Sequence, residues 1–213
     1  MAKAGRVSRP MERTPATHAT RQALVDGAIE SLRHDGFGGA SARAIAGRAG
    51  VNQSLVFYHF GSVAELLLAA LDEVSARRLA RYSAAVDGVH DPRELVAVAG
   101  EIFREDLDEG YVTVLVEMIA GAATSPELGA QVAQRLAPWR TFARDRIVDA
   151  LAASPFAALL PVEDAAYAVV ALYLGMEMLS HLDDDRAPAR SLFDHAARFA
   201  AAFTAMPASE EDR

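Results

Sequence analysis

At 213 residues with 52% hydrophobic content, the chain is long enough to bury a sizeable core and too apolar to be disordered. It has no cysteine, which excludes disulfides and thiolate metal sites. The net charge of −8 hides a division: residues 1–62 hold eight Lys or Arg against four Asp or Glu, a balance of +4, and the remainder carries −12. A basic amino-terminal segment on an acidic body suits a small polyanion-binding module joined to a solubilising domain.

Residues 1–14 are polar and broken by proline, with Lys3, Arg6, Arg9 and Arg13 and no apolar period, and read as a basic arm. They contain no apolar core of a secretory signal, so a cytoplasmic protein is expected. Thr14-Pro15 offers a cap and a first-turn proline, and Leu24, Ala28, Ile29 and Leu32 give the stripe of a helix ending at Gly36. Ser41 caps a short helix through Arg48, and Gly50 closes it. A third helix spans about Gln53 to His59.

Beyond residue 62 the pattern is helical throughout. One long helix runs from Ser62 to about Val86. Asp91-Pro92 starts another that Gly110 ends, Tyr111 to Ala123 forms the next, and Ser125-Pro126 opens a long helix expected to bend at Pro138. Further helices start at Pro161 and Pro188. The stretch from Ala165 to Leu182 is apolar enough to suggest a membrane span, but Glu177 and His181 would lie in or near lipid and Asp183 to Asp185 offer no basic anchor. A soluble protein is expected instead, with a second subunit covering this helix.

The run from Gly36 to Leu71 carries the chemistry. Ile45, Ala46 and Ala49 form the buried side of one short helix, Gly50 makes the turn, and Val51 and Val56 close a small core. Small residues at Ala46 and Gly47 are expected to let two helices cross closely. Gln53, Ser54, Leu55 and Tyr58 remain on an outward face, the layout of a helix-turn-helix that pushes a short helix into the DNA major groove.

Gly36-Phe37, Ser41, Ile45-Ala46, Ala49-Gly50-Val51, Phe57-Tyr58-His59-Phe60 and Leu66-Leu67 together resemble the DNA-binding domain of the TetR family of bacterial regulators. The resemblance is sharp over residues 17–72. It implies an all-α protein: a three-helix DNA-binding domain at 15–62, a helical ligand-binding and dimerisation domain at 63–206, and a tail at 207–213. The implied partners are double-stranded operator DNA, a small-molecule effector and a second copy of the chain.

Carried over by position, Arg43 falls where the family often places a base-reading side chain, suited to guanine O6 and N7. Gln53 suits adenine, and Ser54, Leu55 and Tyr58 share its face. Ser41, at a helix amino terminus, and His59 are implied phosphate contacts, with Arg48 a further candidate. Phe57 and Val63 stand where the family usually has Tyr and Lys, so two phosphate contacts are missing. Tyr58 and the basic arm are possible replacements, the arm being equally readable as a solvated tail.

The resemblance also implies that the last two helices, Val162–Leu182 and 189–206, pair with those of a mate in a four-helix bundle. Ala168, Leu172, Gly175, Leu179 and Leu182 form one seam, and Leu192, Phe199, Phe203 and Met206 a second; the alternative is burial inside the monomer. Tyr173, Glu177 and His181 follow one another at four-residue spacing and read as polar points of a ligand pocket, with Phe103, Met118, Trp139, Phe142 and Met176 as apolar wall. The alternative reading of each of those aromatic residues, and the commoner role for such a residue, is plain core. No metal set or cofactor motif is found, nor any nucleophile elbow, phosphate-binding glycine loop or HExxH, so an enzyme is not expected. The remaining alternative is a ligand-independent architectural DNA-binding protein with a filled core.

Overall fold

The computed structural model describes residues 15–123, 125–152, 160–183 and 186–204, with side chains for 16–200 of these. The arm at 1–14, the tail, Thr14, Asp184, Asp185, Met206 and the side chain of Phe203 lie outside the described residues. All regular structure among the described residues is helical.

Helix α1 (Pro15–Gly39) is kinked at Gly36, whose φ of 71° and ψ of 179° require glycine, so the expected stop is a bend followed by one further turn. Helix α2 (Ala42–Arg48) is capped by Ser41, whose Oγ accepts from the Ala44 N–H at 3.2 Å. Helix α3 (Ser54–Phe60) starts beside Asn52, whose side chain accepts from the Ser54 N–H at 2.9 Å. Helix α4 (Val63–Ala85) begins under the Ser62 cap and links the first three helices to the rest.

Helix α5 (Pro92–Glu109) is capped by Asp91, and α6 (Tyr111–Ala122) follows the left-handed Gly110. Next come α7 (Pro126–Gln134), α8 (Ala137–Leu151), α9 (Val162–Leu182) and α10 (Ala187–Thr204). The long helix expected to bend at Pro138 is in fact two, divided at Arg135 and Leu136. Pro138 sits in the first turn of α8, where a missing N–H costs no intrahelical bond.

One core runs from Leu24, Leu32, Ile45 and Val56 through Leu66 and Leu68 to Val114 and Met118, so the first three helices are anchored on α4 and α6. The close crossing of α1 and α2 depends on Gly27, where a Cβ would lie 2.9 Å from the Ile45 carbonyl oxygen. This corrects the expectation for Gly47, which faces open space. Helix α10 packs on α5, with Phe193 seated over Gly100, and α9 packs on α8. Helix α9 is long and apolar enough to cross a membrane, but its Glu177 is buried against Arg78 of α4, which ties it to the protein interior.

Candidate functional site

The amino-terminal helices present a polar, aromatic face. Gln53, Ser54, Phe57 and Tyr58 are exposed on α3, Tyr58 by 64%, while Leu55 and His59 are half-buried. Arg43 projects into solvent from α2, and Ser41 is exposed at that helix's amino end, its oxygen already holding the Ala44 N–H. Arg21 of α1 lies 4.6 Å from the Phe60 ring centroid, which ties the end of α3 to α1.

Arg48 has different company. Its guanidinium forks onto Asp35 at 2.7 and 3.1 Å and reaches Ser31 at 3.4 Å, so it clasps α2 to the end of α1. The close crossing of α1 and α2 at Gly27 holds the partners near each other, and a phosphate contact by the exposed Arg48 would compete with this pairing.

The amino-terminal unit meets the carboxy-terminal helices through α6. The Phe37 N–H, just past the kink, donates to a Glu117 carboxylate oxygen at 2.7 Å, and the Phe37 ring lies against Gly121. Arg33 donates to the Glu109 carbonyl at 2.7 Å, satisfying the end of α5. Sequence reasoning passed over Glu117, although it is the only charged residue in α6.

Between α4, α5, α8 and α9 lies a cavity of about 310 Å³. Val74, Leu95, Phe142, Val170 and Leu174 make its wall largely hydrocarbon and aromatic, and Leu115 of α6 also reaches it. Trp139, the single tryptophan, donates to Ser75 at 2.7 Å and stacks beside Arg78, 5.2 Å from its ring centroid.

A buried polar cluster closes one side. Arg78 donates to Asp106 at 2.8 Å and to Glu177 Oε1, while Arg81 also bonds Asp106. Two guanidinium groups thus meet two carboxylates, and Glu177 Oε2 is buried with no hydrogen-bond partner among the described residues. The Tyr82 and Tyr173 hydroxyls bond each other. Burial pushes Tyr82 up to about 12, and burial beside Tyr82 holds Tyr173 well above the ordinary phenol value. Burial also raises Glu177, against the opposing pull of Arg78.

Of the pocket residues expected from sequence, Trp139, Phe142, Tyr173 and Glu177 meet at this cavity. Four do not line it. Met118 is fully buried in the main core, and Phe103 is sandwiched between Tyr173 and Phe193 behind the wall. Met176 is half-buried outside the lining, and His181 lies a turn beyond Glu177 in solvent. Arg78, Tyr82 and Asp106 were missed because each sits in a charged helical stretch that looks solvated.

On the far side of α9 and α10, Leu172, Leu179 and Leu182 are 55%, 68% and 79% exposed, with Ala168, Leu192 and Phe199 exposed beside them. Gly175 shares this face, and a Cβ there would meet nothing. Among the described residues, the leucines of this seam remain largely exposed.

Residues 24–70 match the family described as bacterial regulatory proteins, tetR family. The chain is 25% identical over 131 residues to the HTH-type transcriptional regulator UidR of Escherichia coli, a match covering 62% of this chain and 66% of that protein. It thus spans just under two thirds of the length of that curated relative. A TetR-family member from Streptomyces coelicolor is similar in structure at a TM-score of 0.63 and 26% identity, over 83% of this chain and 97% of the other. A TetR-family regulator from Cytophaga hutchinsonii shares the fold at a TM-score of 0.76 and 17% identity, over 92% of this chain and 100% of the other.

Proposed function

We propose that this chain, which belongs to the TetR family of bacterial regulators and is a helix-turn-helix transcriptional regulator, is a dimeric repressor that grips a palindromic operator and releases it when a small apolar molecule enters the cavity beside Trp139. The single observation carrying the ligand-responsive reading is that cavity of about 310 Å³, walled by the same α4 whose amino end packs into the core of the reading head. A filled core would have favoured the architectural alternative.

In this reading Arg43, Gln53, Ser54 and Tyr58 read bases, and the amino end of α2 at Ser41 and His59 hold phosphate. Leu172, Leu179, Leu182 and Leu192 meet their counterparts on a second copy, and the two-fold axis makes the operator a palindrome. The effector acts by binding better to a state whose two heads are wrongly spaced for the half-sites. Helix α4 carries the change, with α6 as a second route because Leu115 touches the cavity and Glu117 holds Phe37. Selection of bound sequences from random DNA by the purified protein tests this: an enriched palindrome supports the reading, and enrichment without two-fold symmetry removes it.

A further inference from the structure

The chemistry of the cavity narrows the kind of molecule that fits it, an inference that rests on the ligand-responsive reading above. A wall of hydrocarbon and aromatic rings calls for an apolar body, and the polar cluster limits what the head group is. Arg78 is already met by Asp106 and Glu177, so its charge has no need of a further anion. Glu177 Oε2 is the converse: a carboxylate oxygen of a residue that lines the cavity, in a side chain 1% exposed, with no donor among the described residues. A buried acceptor left unpaired costs about 1–3 kcal/mol, and a ligand that brings a donor recovers that cost.

The competing feature is Arg146, whose Nε is also unpartnered at the wall. Its guanidinium is committed to Asp149 at 2.8 Å, which offsets its charge and weakens its claim on a carboxylate ligand. Arg135, also at the wall, is held by Asp72 at 2.8 Å. The charges at the wall are thus paired, and the acceptor left without a donor among the described residues is Oε2 of Glu177. We infer that the cavity selects an apolar molecule bearing a protonated amine, which seats its nitrogen on Oε2 of Glu177 and its hydrocarbon among Trp139, Phe142 and Leu174.

Because Trp139 is the only tryptophan, its emission reports the cavity directly in the full chain. Octylamine, octanol and octanoate share a tail and differ in head group. Octylamine is expected to saturate the Trp139 response at about a tenfold lower concentration than octanol, the worth of one charge-assisted hydrogen bond, with octanoate the weakest. Glu177→Gln keeps an oxygen for Arg78 and removes the charge, so the amine falls to the level of the alcohol. If that variant does not melt as a folded protein, the wild-type series alone decides. Equal saturation by octylamine and octanol, a preference for octanoate, or an amine preference that survives E177Q in a folded protein overturns the inference and leaves the ligand-responsive reading standing. No saturable response to any of the three overturns both.

Discussion

The backbone N–H of Phe37 donates to the carboxylate of Glu117, 80 residues away, at the point where α1 bends and the amino-terminal helices touch α6. The contact is reinforced by the Phe37 ring, which occupies the space where Gly121 lacks a side chain. Gly121→Ala gains up to about 1 kcal/mol of helix propensity, but its methyl overlaps the ring, and overpacking costs about 1–3 kcal/mol. A net loss of stability is expected in thermal unfolding. Phe37→Leu in the same chain should recover part of it, giving a non-additive double-mutant cycle; additive losses would mean that the two residues do not bear on each other.

Arg43 is exposed on α2 with no ion pair among the described residues, in contrast to the clasped Arg48. Arg43→Ala is expected to relax sequence choice at one position in each half-site and to cost about 1–3 kcal/mol there. Comparing the selected operators of wild type and variant checks this. An unchanged sequence preference would move base reading to other side chains.

The exposed seam on α9 makes a prediction about assembly. Leu179 is 68% exposed, and Leu179→Glu places a charge at the centre of the proposed interface without touching the cavity wall. Sedimentation should show wild type as a dimer and the variant as a monomer that keeps its helical spectrum. A variant that remains dimeric would require another interface.

The paired phenols set an alkaline limit. Both Tyr82 and Tyr173 have folded values raised above the ordinary 10, so the fold favours their neutral forms. Their contribution is fully present below pH 10 and is lost as pH rises through the raised folded values, about 12 for Tyr82. Urea midpoints should fall over that window, and Tyr82→Phe should flatten the fall. A variant that retains the full wild-type loss would assign the alkaline sensitivity elsewhere.

The amino-terminal half of the pattern was readable because its residues act locally. Ser41 caps the helix that follows it, Gly50 takes the left-handed conformation, and Ile45 and Val56 are buried at the spacing that marks them. The cavity was only half readable. Trp139, Phe142, Tyr173 and Glu177 announce themselves as large or polar groups in apolar helices, whereas Arg78 lies among Arg77 and Arg81 and looks solvated. Its burial is decided by Asp106 and Glu177, 28 and 99 residues further on. His181 fails for a related reason: four-residue spacing fixes the face of a helix but not how far along that face the neighbouring helices reach. Gly47 and Gly27 teach the same lesson, since a small residue does not reveal which of its sides is crowded.

The clasp of Arg48 on Asp35, the close approach at Gly27 and the Arg21 cation against Phe60 have a joint consequence for how such a molecule would transmit news of its effector. Three helices bound this tightly have little room to change shape, so α3 turns or shifts only together with α1. In the proposed dimer, the quantity left free to vary would be the gap between two unyielding heads. An operator with one base pair inserted at its centre would then discriminate between occupied and empty protein more sharply than any change in the bases that the heads touch.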